Sequence, residues 1–108
     1  ERLDGEQRFI SLPLRLAVYR SIIRAMESMQ DHAPDEYDLR IRVWRRGERS
    51  GATVLVKCKP TCSPEPPTPE SQDALNELRA RVIAYSGVLK RRDSFRLRFL
   101  MSEATLEQ

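Results

Sequence analysis

The sequence predicts a two-layer α+β sandwich, with two long helices on one face of a mixed, mostly antiparallel sheet. Three observations predict it. Two stretches repeat their apolar residues at three- and four-residue spacing, two others alternate apolar with charged residues, and the patterns succeed one another as helix, strand, strand, helix, strand, strand. At 108 residues, with 40% hydrophobic and 32% charged side chains, the chain is expected to form one domain. A core of that size needs no covalent staples, so the two cysteines are free to be incidental.

A short strand is expected ahead of the first helix. That helix runs from Leu12 to His32: Ser11 caps it, Pro13 suits its first turn, and Leu16, Tyr19, Ile22, Ile23, Met26 and Met29 mark its inward face. Ala33-Pro34 ends it. Tyr37 to Arg46 alternates Leu39, Ile41 and Val43 with Arg40, Arg42 and Trp44, as a half-buried strand does. Its hairpin partner is Ala52 to Lys59, after a polar stretch with glycines at 47 and 51. Residues 60 to 70 hold five of the seven prolines and read as a stiff, extended loop. From Ser71 a second helix carries the stripe Leu75, Leu78, Val82 and Tyr85, with Gly87 as its stop. Val88 to Arg91 then turns at Arg92-Asp93-Ser94 into Phe95 to Met101, where Phe95, Leu97 and Phe99 alternate with Arg96 and Arg98.

Charge is distributed by element. Residues 37 to 59 hold seven basic and two acidic side chains and residues 87 to 108 hold five and three, so the basic charge belongs to the strands. If the apolar strand residues face the helices, Arg40, Arg42, Arg96 and Arg98 lie together on the helix-free face, where they are candidates for binding a partner. An uncovered sheet face is polar in any case, and exposed charge keeps it soluble. Sixteen arginines against three lysines also fit a compositional bias. No apolar run reaches membrane-span length and the first residues form no signal peptide, so a cytoplasmic location without membrane contact is expected, for a domain cut from a longer protein.

The stretch LPLRLAVYRSIIRAMESMQDHA, residues 12 to 33, resembles the first long helix of the histidine-kinase-type ATPase domain (the GHKL superfamily), above all in the nitrate-sensor-like kinases. There the helix runs approximately L-x-x-x-LYRIxQEALxNxxxHA. Farther on, residues 74 to 82 (ALNELRARV) are similar to the family's GLxGMRERV, residues 85 to 89 (YSGVL) to its LxGGxL, and residues 95 to 99 (FRLRF) to its closing strand. The likeness spans residues 12 to 100. It implies bacterial two-component signalling, with a signalling protein or the dimerisation helices of its own chain as partner.

The departures fall on the chemistry. Where the family's helix has a Glu that orients water or activates the acceptor, and four residues on an Asn that ligates Mg²⁺, this chain has Arg24 and Ser28. An arginine is no base at physiological pH, and a serine hydroxyl replaces an amide oxygen poorly on a hard cation. The family's adenine-binding D-x-G-x-G corresponds to the run from Cys58 through Pro60 to Cys62, and the glycines that open its second helix align with Gln72 and Ala74. Residues 52 to 74 contain no glycine, and the proline loop is too short for the family's nucleotide lid. The resemblance therefore implies a degenerate domain, with no cofactor and no catalysis of its own, that serves as a regulatory or docking module.

Two alternatives stand beside it: a nucleic-acid-binding domain using the arginine face, and a divergent domain that still binds ATP. Against the first, base stacking needs aromatics at the sheet centre, and only Trp44 is an outward aromatic. Cys58 and Cys62 lack two further ligands for zinc, the single His32 reads as a cap at a helix end, and Met26 and Met29 read as core filling. No Ser-His-Asp, paired-carboxylate or P-loop set can be assembled.

Overall fold

The computed structural model describes residues 10–62, 67–93 and 95–105. The order is α1 (Leu12–Glu27), a 3₁₀ turn (Gln30–His32), β1 (Tyr37–Arg46), β2 (Arg49–Cys58), α2 (Pro69–Ala84), β3 (Val88–Asp93) and β4 (Arg96–Ala104). The four strands form one sheet in the order β1-β2-β4-β3. Every neighbouring pair is antiparallel, so the mixed sheet allowed by the sequence resolves to a purely antiparallel one. The expected first strand lies outside the described residues apart from Ile10, as does Ser94 of the expected turn.

Both helices cover the same face, and the register shows why. Leu39, Ile41 and Val43 stand opposite Val56, Val54 and Ala52, which in turn stand opposite Leu97, Phe99 and Met101. These rows meet Leu14, Val18, Ile22, Leu75, Leu78 and Val82 from the helices in one buried cluster. Burying such side chains contributes roughly 1.5–3 kcal/mol each, which places most of the fold's stability in this single layer.

The helix ends are fixed by side chains remote in sequence. Ser11 caps α1 by accepting from the Leu14 N–H, while its own N–H and hydroxyl donate to the Glu103 carboxylate at 2.7 and 2.6 Å. A carboxylate from the end of β4 thus sits at the positive end of the α1 dipole. Arg24 joins the helices on the surface, pairing with Glu27 on its own helix and with Glu77 of α2 at 2.6 Å.

Several expectations need correction. Helix α1 stops at Glu27, and the chain continues to His32 as a 3₁₀ turn that closes on Ala33 in the left-handed region. His32 does end that turn, and it is buried there, edge-on to the Phe95 ring with centroids 5.7 Å apart. Leu16, Tyr19 and Ile23 point outward, and the inward face is Leu14, Ala17, Val18, Ser21, Ile22 and Ala25. Apolar residues surround α1 on both sides, so its periodicity fits two faces equally well. Strand β2 begins at Arg49, before Gly51, and Pro69 opens α2 behind the cap Thr68 and so does not belong to the loop. The left-handed residue that ends α2 is Ser86 (φ 55°), not Gly87.

Candidate functional site

Seven positions carry the departures from the nucleotide-binding family, and they cluster around the end of α1, the end of β2 and the start of α2. The chain's own groups occupy that end. Asp31 of the 3₁₀ turn accepts the Thr68 N–H at 2.9 Å and the Thr68 hydroxyl at 3.1 Å, and Thr68 in turn caps α2 by accepting from the Ser71 N–H. Thr61 ties the β2 exit to the same turn, with its N–H on the His32 carbonyl and its hydroxyl on the Ala33 carbonyl. An internal carboxylate therefore holds the positive end of α2, where an incoming phosphate would meet its charge.

The seven side chains are individually accounted for. Arg24 is engaged with Glu27 and Glu77, and Ser28 turns its hydroxyl back onto the Ala25 carbonyl at 2.7 Å. Gln72 donates to Asn76 one helical turn on, and Ala74 is buried. Cys58 is buried, which pushes its thiol pKa up, whereas Cys62 is exposed with its sulfur 3.4 Å from the Asp31 carbonyl; neither forms a disulfide. Pro60 lines an open cleft of about 570 Å³ with Tyr37, Lys57, Cys58 and Phe95. Among the described residues no group of three or more His, Cys, Asp or Glu could hold a metal ion.

The hydrogen bond from the Thr68 N–H holds the Asp31 carboxyl below its ordinary value of 3.8. A carboxyl lowered on folding contributes stability above that ordinary value and loses it as the pH falls through the lower folded value. Asp31→Ala should therefore cost about 0.5–1 kcal/mol at neutral pH, the low end for a capping contact at the surface. Thermal melts of the variant and the wild type should converge in acid, below pH 3.8.

The second candidate is the helix-free sheet face. Four rows cross it: Asp38, Lys57, Arg96 and Asp93; then Arg40, Leu55, Arg98 and Lys90; then Arg42, Thr53, Leu100 and Val88; then Trp44, Gly51 and Ser102. All four arginines singled out from the sequence thus lie on the face turned away from the helices. Arg40, Arg42 and Arg98 are exposed, while Arg96 is half-buried with an Nε that is buried and has no hydrogen-bond partner. Lys90, Arg91, Arg92, Arg96 and Arg98 surround a depression of about 470 Å³ at the β3–β4 end, floored by Leu55 and Leu97. Among the described residues the only ion pair on this face is Lys57–Asp38, at 3.6 Å.

Trp44 lies flat and does not project. Its Nε1–H donates to the Thr53 hydroxyl at 3.1 Å, and the ring spans Gly51, where a Cβ would come 2.7 Å from the indole and 2.3 Å from the Met101 carbonyl oxygen. Glycine inside β2 is thus the condition for the indole to lie down. Lys90, Arg91 and Arg92 were not singled out from the sequence. The register of β3 on β4 brings Lys90 opposite Arg98, and its extension to Asp93 brings that acid opposite Arg96; neither pairing across strands had a local signal.

No helix among the described residues is long and apolar enough to cross a membrane. Comparison with protein-family models, with curated proteins and with solved structures returns no match to the chain.

Proposed function

We propose that the chain is a non-catalytic docking domain that binds an acidic protein surface across its arginine-rich sheet face. The reading adopts the family resemblance of the sequence, a degenerate histidine-kinase-type ATPase domain in bacterial two-component signalling, with a signalling protein as partner. One observation carries it: Lys90 stands directly opposite Arg98, in a row that also holds Arg40 and contains no acidic side chain. Like charges facing each other across strands cost roughly 0.2–1 kcal/mol per pair. Solubility alone needs no such arrangement, since mixed charges serve it without that cost. An acidic ligand relieves the repulsion.

The centre of the face favours a protein over a nucleic acid. Leu55, Thr53 and Leu100 occupy it, and its single aromatic ring is fastened down over Gly51, so bases have no projecting ring on which to stack. Apolar side chains ringed by arginines match an acidic surface that carries an apolar anchor. Asp31 at the start of α2 supports the absence of ATP binding.

Three probes test the reading: a glutamate-rich peptide containing leucines and helix-breaking prolines, a mixed-sequence single-stranded RNA, and MgATP. The peptide should bind with salt-sensitive affinity and shift the emission of Trp44, the single tryptophan. Millimolar MgATP should leave the melting temperature unchanged, whereas a ligand at 100 times its Kd stabilises by about 2.7 kcal/mol. Submicromolar, salt-dependent binding of RNA in place of the peptide would assign the face to nucleic acid, and a clear MgATP shift would overturn the degenerate reading.

A further inference from the structure

We propose that the outward face of α1 is a docking seam for an acidic amphipathic helix of a partner protein. Leu12, Leu16, Tyr19 and Ile23 follow one another at four-, three- and four-residue spacing and are 58%, 43%, 38% and 52% exposed. That spacing puts all four in a single line on the helix side away from the core. One exposed leucine is ordinary, but a continuous apolar line over three turns is the surface by which one helix receives another.

Charge complementarity selects the occupant. Beside the line, a groove of about 310 Å³ between α1 and α2 is lined by Leu12, Leu16 and Tyr85 together with Arg20 and Arg81. Neither arginine has an ion-pair partner among the described residues, and the Arg81 Nε is buried without a hydrogen bond. Farther along the helices Arg24 holds Glu27 and Glu77, and at the start of α1 Ser11 holds Glu103, so these acids are already committed. A second copy of this chain fits poorly. Its own α1 line is flanked by the same Arg20 and Arg81, so two copies would bring like charges together there and supply no carboxylate to either arginine. A helix with a leucine seam and glutamates on its flanks satisfies both the apolar line and the two arginines. The seam lies on the opposite side of the molecule from the arginine sheet face, so it stands whether or not that face binds anything.

The test uses two dye-labelled, tryptophan-free peptides of about 18 residues, long enough to form a helix. Both have leucines at the seam positions, one with glutamate flanks and one with lysine flanks. In a chain whose sheet face carries Arg40→Glu, Arg42→Glu and Arg98→Glu, so that acidic ligands no longer compete there, the glutamate peptide should bind roughly tenfold more tightly than its twin. Leu16→Glu and Ile23→Glu should each weaken binding by about tenfold or more. Their melting temperatures should stay near wild type, because both side chains already point into water. Arg20→Glu should erase the preference between the peptides, and Arg20→Gln should reduce it. Equal binding of both peptides, or binding of neither, would overturn the proposal. So would self-association of the chain that Ile23→Glu abolishes, since the seam would then belong to a second copy.

Discussion

Gly87→Ala is expected to destabilise the domain by more than about 3 kcal/mol, which for a domain this size lowers the melting temperature by well over ten degrees. A Cβ on Gly87 would lie 1.8 Å from the Leu100 carbonyl oxygen and 2.8 Å from the Val82 carbonyl oxygen. Both obstacles are backbone, so no rotamer change relieves them, and the end of α2 would have to move off β4. The neighbouring substitution should have the opposite sign. The N–H of Ser86 bonds to the Ile83 carbonyl and that of Gly87 to the Val82 carbonyl, the paired bonds that close a helix through one left-handed residue. That residue is Ser86, at φ 55°, where a side chain costs about 1 kcal/mol. Ser86→Gly should therefore stabilise by about 0.5–1 kcal/mol, and chemical denaturation of the two variants checks both signs.

The contrast at this helix end shows what a sequence can and cannot disclose. A glycine after a helical stripe is normally the left-handed stop, and here glycine is required one residue later by the approach of β4, a contact made across 13 positions of chain. Strand β1 was legible to the residue because Leu39, Ile41 and Val43 alternate without interruption. The same period placed the arginines on the open face. Gly51 looked like part of the turn because nothing local announces that Trp44 will lie over it. The true face of α1 was hidden because it is apolar on two sides, and only the packing of Leu14, Val18 and Ile22 against the sheet decides between them. Asp31 was equally hidden: its partner Thr68 is 37 residues away, beyond the hairpin and the proline-rich stretch. Periodic features were readable, and features made by contact between distant segments were not.

Reversing the arginine face is expected to separate folding from binding. Arg40, Arg42 and Arg98 are exposed, and exposed substitutions usually stay within about 0.5 kcal/mol each, so Arg40→Glu, Arg42→Glu and Arg98→Glu together should leave the melting temperature nearly unchanged. The Arg98 change should even help, because it puts a glutamate opposite Lys90 in place of a like charge. Arg96→Glu is different. Its Nε is buried and its stem lies beside Leu97, so that packing is lost, and a glutamate there would face Lys57 on one side but the like charge of Asp93 on the other. Arg96→Met keeps the stem and removes the charge, and it is the cleaner fourth member of the set. With these four substitutions the glutamate-rich peptide should lose essentially all affinity, chiefly through slower association, as expected when steering charges are removed from a surface. Binding to single-stranded RNA would instead show, in the wild type, a logarithmic salt slope near −0.7 for each phosphate neutralised. Retention of peptide binding by the folded fourfold variant would remove this face from the function. Collapse of the triple Arg40, Arg42 and Arg98 variant would mean that those side chains hold the sheet together and do not reach into water.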